Sequence, residues 1–205
     1  MPAGRDETTD DPAAGRSSLR PLVPSDATAM ARWALDEEFC VAAEWSTELG
    51  FDGQLAFHRG IIADPPDGLL RLGLVHDDEL VGYVDLHGTE EHSRELGFLI
   101  GPGRWGHGLG TAAAGLGIRH GFALGLREIW AEALDANQRS VRILHRVGMV
   151  ETGRGVEAAY LGEPSFYRRF AIGQSARTAA SSTSSPSESR SSPMTNGGSN
   201  RMTLP

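Results

Sequence analysis

The stretch that decides the fold runs from Glu95 to Thr111 and reads ELGFLIGPGRWGHGLGT. Residues 94–100 predict a β-strand, and the Gly/Ala-rich segment at 110–124 predicts a helix. Five glycines stand between position 101 and position 110. Glycine lets a backbone approach a ligand closely, and the unpaired N–H groups of a first helical turn attract anions. The stretch therefore predicts a cradle for a phosphate or diphosphate, the bland alternative being a flexible surface loop.

The same glycines also match a dinucleotide-binding fingerprint. Gly101–Gly106 reads G-x-G-x-x-G directly after a strand. Two further glycines precede the helix, and Asp135, which ends the next strand, stands 29 residues past Gly106 rather than the expected ~20. A P-loop is excluded, because all 19 basic residues are arginine and the chain has no lysine.

The rest of the pattern predicts a mixed α/β chain of the α+β class. We expect strands at 18–23, 69–76, 80–86, 94–100, 129–134, 149–160 and 165–172, and helices at 25–40, 51–62, 110–124 and 140–147. Hairpins at both ends with one strand–helix–strand crossover in the middle favour this layout over a doubly wound sheet.

Composition sets the outer limits of the 205-residue chain. One domain is predicted at 18–173, between tails at 1–17 and 174–205 that are too poor in apolar residues to fold. The net charge of −8 argues against a nucleic-acid partner. With no apolar run of ~18 residues and no secretory signal, we expect no membrane partner and a cytoplasmic location. A single cysteine, Cys40, and scattered histidines predict no metal site.

Two motifs resemble the GNAT (Gcn5-related N-acetyltransferase) family. Trp105–Gly110 is similar to its acetyl-CoA signature [QR]-x-x-G-x-[GA], with tryptophan at the first position, a form that resembles the RimJ/RimL-like branch. Asn137–Met149 is similar to the family segment N-x-x-S-x(7)-G-F, with Met149 replacing phenylalanine. The motifs stand in the family's order, about 30 residues apart, and the resemblance covers essentially all of 18–173.

The resemblance implies a GNAT fold, in which a mostly antiparallel, twisted central sheet is splayed at the acetyl-CoA site and flanked by about four helices. It implies direct transfer of an acetyl group from acetyl-CoA, as co-substrate, to a primary amine, either a protein N-terminus or a small molecule. It also allows a homodimer. Two alternatives stay open, a GNAT-like module that binds acyl-CoA without turnover and a dinucleotide-dependent enzyme.

Cofactor-binding residues transfer from the family onto matching positions of this chain. The resemblance implies that backbone near the end of the strand pairs with the pantetheine amides, that the glycine loop binds the diphosphate, and that two residues of the second motif flank the pantetheine arm. The implied set is Phe98, Leu99, Ile100, Trp105, Gly106, His107, Gly108, Leu109, Gly110, Thr111, Asn137 and Ser140.

Proton transfer needs further residues, because a primary amine with a pKa near ~10.4 is protonated at neutral pH. Glu95, on the strand that leads to the glycine loop, is the predicted catalytic base, as many family members use a carboxylate there. Asp85 and His87 are alternatives, since they share one face of the preceding strand.

The leaving thiolate also needs a proton. The family usually donates it from a tyrosine, and Leu144 occupies that position here. Ser140, which we count with Glu95 as a predicted catalytic residue, could take its place, and so could His145, Tyr160 or Tyr167; the sequence leaves the acid unassigned among them.

Overall fold

The structure is a computed structural model and describes residues 16–43, 45–46, 48–160 and 163–174. Apart from positions 16, 17 and 174, the predicted tails at 1–17 and 174–205 lie outside the described residues. In the described part, no helix has the length and apolar character needed to cross a membrane.

Seven strands and five helices make up the described part of the chain. The strands are β1 (Ser17–Pro21), β2 (Leu69–His76), β3 (Glu79–His87), β4 (Ser93–Ile100), β5 (Glu128–Leu134), β6 (Val150–Tyr160) and β7 (Glu163–Gly173). The helices are α1 (Asp26–Trp33), α2 (Glu37–Ala42), α3 (Gly50–Ala63), α4 (Leu109–Ala123) and α5 (Gln138–Arg146).

All seven strands form one sheet in the order β1-β2-β3-β4-β5-β7-β6. Every pair is antiparallel except β4 and β5, which the crossover helix α4 joins in parallel. The predicted α+β class with a mostly antiparallel sheet is confirmed. A doubly wound dinucleotide fold, which requires a largely parallel sheet, is not what this chain forms.

The helix predicted at 25–40 is wrong as a single element, because Asp36 divides it. Asp36 has extended backbone angles, φ −97° and ψ 109°, and its carboxylate accepts a hydrogen bond from the N–H of Phe39. An aspartate in this geometry is a strong N-cap, so a new helix, α2, begins after it. The acidic pair Glu37 and Glu38 in the first turn is also favoured by the helix dipole.

Glycines let α4 lie close against the sheet. An added Cβ at Gly117 would lie 2.7 Å from both Leu96 Cδ1 and Val84 Cγ1, and one at Gly121 would lie 2.7 Å from Ile129 Cδ1. Such distances leave no room for a side chain. The close packing fixes the N-terminus of α4 beside the end of β4.

Strands β4 and β5 part soon after they meet. They pair only from Ser93 to Glu95 on β4 and from Glu128 to Trp130 on β5. Beyond that point β4 continues with β3, and β5 continues with β7. The sheet is therefore splayed between residues 96–100 and 131–134, and this opening is the place for a ligand.

Candidate active site

A cleft of about 1400 Å³ occupies the opening between β4 and β5. Its walls are residues 96–100 of β4, the glycine loop, the first turn of α4, residues 131–134 of β5, and α5. Residues of α2 and two tyrosines of the β6–β7 hairpin, Tyr160 and Tyr167, complete the lining.

The backbone of β4 offers hydrogen-bonding groups to this cleft. The N–H of Gly101 donates to the carbonyl of Val81 at 2.9 Å, and hydrogen-bonded pairs alternate along an antiparallel ladder. Leu99, opposite Tyr83, therefore directs its N–H and C=O at β3. Phe98 directs both of its groups at the cleft, and Ile100 directs its N–H there, while the Ile100 carbonyl accepts a hydrogen bond from Nε1 of Trp105.

The glycine loop exposes backbone around the N-terminus of α4. Gly106 and Gly108 have φ of +85° and +78°, which side chains resist. A Cβ added at Gly106 would meet no protein atom within 4 Å, so the backbone there borders open space. Gly108 is the N-cap and supplies no side-chain acceptor to the first turn. The donor set therefore fits an anionic diphosphate.

Trp105 ties this loop to three other elements. Its indole Nε1 donates to the carbonyl of Ile100 at 2.9 Å. Its ring stacks on Phe39 of α2, with centroids 6.4 Å apart, and the guanidinium of Arg139 lies 5.6 Å from its centroid. Trp105 thus forms a wall of the cleft between α2 and α5.

The structure brings most of the predicted binding residues together. Eleven of the twelve line the cleft, and His107 is exposed on the loop and does not. Asn137 is the N-cap of α5, where its Oδ1 accepts from the N–H of Ser140 at 3.1 Å. This contact gives Asn137 a structural role beside the binding role predicted for it.

Glu132, on β5, is a cleft-lining carboxylate that the sequence did not lead us to expect. Its side chain is 8% exposed, and Nε and Nη2 of Arg169 lie 3.1 Å and 2.9 Å from its Oε1. Its neighbours Ala131 and Ala133 are buried in the core, so Glu132 lies on the other face of β5. The sequence signal that could have indicated Glu132 as a site residue is a carboxylate in the middle of an otherwise largely apolar strand, EIWAEAL.

Glu95 lies where β4 and β5 are still paired, opposite His87 and Trp130, and does not line the cleft. Its role as the base stays a prediction. Trp130, the partner of Glu95, and Glu132 are two residues apart on β5 and therefore share a face of the sheet. Glu95 and Glu132 thus lie on the same face, on either side of the point where the strands part.

Asp85, the alternative base, is held in a buried ion pair. Nε and Nη2 of Arg71 each donate to one of its carboxylate oxygens at 2.7 Å, and the two side chains are 7% and 16% exposed. The Arg71 guanidinium also lies 4.1 Å from the ring centroid of Tyr83. Burial raises the pKa of Tyr83 to about 12. This cluster joins β2 to β3, and Asp85 does not line the cleft.

Four residues that line the cleft carry a hydroxyl group, Thr111, Ser140, Tyr160 and Tyr167. His145 does not line it; its ring packs edge-on against Phe170, with centroids 5.1 Å apart. Leu144, at the position of the family's usual tyrosine, is buried in the core. Among the described residues, the cleft lining therefore offers hydroxyls and no imidazole to a leaving group.

The charged side chains of the cleft lining stand on different elements according to their sign. Its positive side chains stand on the loop and on α5, and its negative ones stand on α2 and β5. The positive set is Arg104, Arg139, Arg142 and Arg146, and the negative set is Glu37, Glu38 and Glu132. Such an arrangement suits a ligand with an anionic end and a second ligand that carries a cationic group.

Comparison with known proteins gives consistent matches. The family model described as an acetyltransferase (GNAT) domain matches residues 16–150. A spermidine N-acetyltransferase from Vibrio cholerae in complex with CoA and spermine is 22% identical, with 78% of this chain and 97% of that chain covered and a TM-score of 0.68. RimJ from Mycobacterium smegmatis in complex with CoA-disulfide is 24% identical, with 80% and 85% covered and a TM-score of 0.68. At these identities the two structures establish a shared fold.

Proposed function

The chain belongs to the GNAT family of acetyltransferases, and from this premise we propose that it transfers an acetyl group from acetyl-CoA to a primary amine directly, with both substrates bound. The observation that carries the proposal is the cleft itself: β4 and β5 part after Glu95 and Trp130, and the opening leads to positive-φ glycines at the N-terminus of α4. The thioester arm of acetyl-CoA fits between the strands, and the loop binds its diphosphate.

Acetyl-CoA supplies the acetyl group as an activated thioester. We propose that N–H groups of the loop and of the first turn of α4, from Trp105 to Thr111, hold the diphosphate. Phe98 and Ile100 offer backbone partners to the pantetheine amides. Leu99, Asn137 and Ser140 line the path of the arm, and His107 stands on the loop beside it.

A base must take a proton from the incoming amine, because the cationic form has no lone pair to attack with. We propose Glu132 for this step. It lines the cleft and Arg169 fixes its position, whereas Glu95, the base predicted from the sequence, lies outside the lining. The carboxylate takes one proton from the ammonium group and releases it to solvent. The free amine nitrogen then bonds to the carbonyl carbon, the C–S bond breaks, and the nitrogen gives up a second proton to the same carboxylate. Ser140 is the proposed relay to the leaving thiolate: its hydroxyl gives its proton to the sulfur and takes a proton from solvent.

The cleft lining carries three carboxylates, those of Glu37 and Glu38 on α2 and of Glu132 on β5. Their negative charge supports a cationic amine as acceptor. Both acceptor classes, a protein N-terminus and a small amine, carry such a group. The tryptophan form of the loop supports placement in the RimJ/RimL-like branch, so N-terminal peptides come first in the test.

The test is a thiol-release assay with acetyl-CoA across a panel of peptides and small amines, followed by Glu132→Gln and Glu95→Gln on the best acceptor. We expect Glu132→Gln to lower kcat/KM by about 10²- to 10⁴-fold, the usual loss when a general base is removed. The Kd for acetyl-CoA should stay nearly unchanged. The residual activity should rise more steeply toward alkaline pH than that of the parent, because free amine then forms in solution.

Glu95→Gln is the matched control, since it makes the same chemical change on the same face of the sheet. A large loss in Glu95→Gln with a small one in Glu132→Gln would return the base to Glu95. Binding of acetyl-CoA without thiol release from any acceptor would contradict transfer to the amines tested. A thermal melt of each variant separates catalytic loss from unfolding.

A further inference from the structure

Gly97 stands in the middle of β4, at a position where the packing of the protein does not require a glycine. Its φ is not positive, and β3 and β4 pair through this position without a bulge. A Cβ added here would lie 3.5 Å from the Cβ of Asp85, an ordinary van der Waals contact. An alanine would therefore fit. Because glycine weakens a strand relative to alanine, the fold gains nothing from the glycine.

Two other strand glycines are required by their surroundings. A Cβ added at Gly73 would lie 2.8 Å from Cδ1 of Leu80, and one added at Gly82 would overlap the carbonyl oxygen of Leu99. Gly97 has no contact of this kind, and unlike these two glycines it lines the cleft. A strand glycine that packing does not require is typical of a place where a ligand approaches the backbone closely.

The space above Gly97 lies on the same side of the sheet as the proposed base. Gly97 is two residues from Glu95 on β4 and therefore shares its face, which is also the face of Glu132. Phe98, whose backbone is directed at the cleft, is the next residue along the strand. Since a strand rises about 3.3 Å per residue, the space above Gly97 adjoins the place where the amine meets the thioester.

An acceptor that attacks from this side places the carbon next to its nitrogen over Gly97. The Asp85 carboxylate beside this space is neutralised by Arg71. Leu99, the next residue on the same face of β4, is an apolar residue of the cleft lining. The space therefore suits an apolar or neutral substituent on that carbon. A protein N-terminus carries such a substituent, its first side chain, and a linear amine does not.

We propose that Gly97 is a specificity-determining residue that leaves room for the first side chain of a peptide acceptor, so that the acceptor class is a protein N-terminus and not a linear amine. The inference rests on the proposed function. Gly97→Ala would place a methyl group where the substituent lies, and displacing a reacting atom by about 1 Å can lower the rate about 10²-fold. A peptide that begins with glycine lacks the substituent and should be spared.

The experiment compares the full-length parent with Gly97→Ala in the thiol-release assay. The acceptors are peptides that begin with glycine, alanine or leucine and are otherwise identical, together with a linear alkylamine. In Gly97→Ala, kcat/KM for the leucine peptide should fall about tenfold to a hundredfold, and kcat/KM for the glycine peptide should stay nearly unchanged. The Kd for acetyl-CoA should not change, and the urea midpoint of unfolding should equal or exceed that of the parent.

Gly153→Ala is the matched control, since Gly153 is a glycine of β6 that has open space around it and lies outside the cleft lining; it should keep the parent's kcat/KM on every acceptor. An unchanged kcat/KM for the leucine peptide in Gly97→Ala would overturn the inference, and so would an equal loss for the glycine and leucine peptides. A lower urea midpoint in Gly97→Ala would also overturn it, because the glycine would then serve the fold.

The parent's own choice of acceptor separates the inference from the proposed function. A parent that acetylates the linear amine and none of the peptides would overturn the inference and leave the proposed function standing. Failure of the proposed function shows differently, as no thiol release from any acceptor.

Discussion

Lowering the pH from 7 to 4 should destabilise this fold through one buried side chain, His58 of α3. Its ring is 1% exposed and lies against Trp45 and Phe57, with centroid distances of 5.1 Å and 5.2 Å. Neither ring nitrogen has a hydrogen-bond partner among the described residues. Burial, together with the nearby charge of Arg71, lowers the pKa of His58 from 6.5 to about 4.

The sign of the effect follows from linkage. The unfolded chain protonates His58 near pH 6.5 and the folded chain only near pH 4, so between these values the unfolded state binds more protons. The stability associated with the neutral ring is therefore fully present above pH 6.5 and is lost as the pH falls to 4. At 1.36 kcal/mol per pH unit, the shift corresponds to about 3 kcal/mol of unfolding free energy. Asp26, whose pKa is lowered from 3.8 by hydrogen bonds that outweigh its burial, loses its contribution below this window.

The assay is urea denaturation at several pH values between 7.5 and 4, for the parent, His58→Phe and His107→Gln. The phenylalanine ring suits the aromatic pocket and does not titrate. The variant should therefore not show the pH-dependent loss of about 3 kcal/mol of unfolding free energy. His107 is exposed, and its variant should follow the parent. Equal loss of stability in the parent and in His58→Phe across this range would refute the reasoning.

Two further predictions test the scaffold and the loop. Asp85→Asn should lower the free energy of unfolding, measured by urea denaturation, by about 3 kcal/mol, because it leaves the buried charge of Arg71 without its partner. The double variant Arg71→Met/Asp85→Leu should restore most of that loss. A loss below about 1 kcal/mol, the size expected for an exposed pair, would contradict a buried pair. Gly108→Val should raise the Kd for acetyl-CoA at least about tenfold, since a β-branched residue resists its φ of +78°. Gly153→Val on β6, which has open space around it, is the matched control, and an unchanged Kd in folded Gly108→Val would remove the loop from diphosphate binding.

The local elements could be predicted because their signals are local. The hairpin strands, the strand–glycine loop–helix junction and the helix entered at Asn137 all follow from side-chain periodicity and turn chemistry within a few residues. The confirmed α+β class follows from their order. The break at Asp36 has an equally local signal, since an aspartate before two glutamates is typical of an N-cap. The longer apolar pattern around it favoured a single helix instead.

Sequence by itself determined which segments form strands and helices, that glycine backbone borders the N-terminus of α4, and which family motifs the chain carries. Only the tertiary structure decided where the cleft opens and that Glu132, and not Glu95, is the strand carboxylate that lines it. Glu95 and Trp130 are 35 residues apart in the chain, and the point where their strands part depends on the packing of α4 and on the pairing of β5 with β7. Periodicity gives the face on which Glu132 lies, but its position relative to that point is a long-range property, set by contacts that no local pattern encodes.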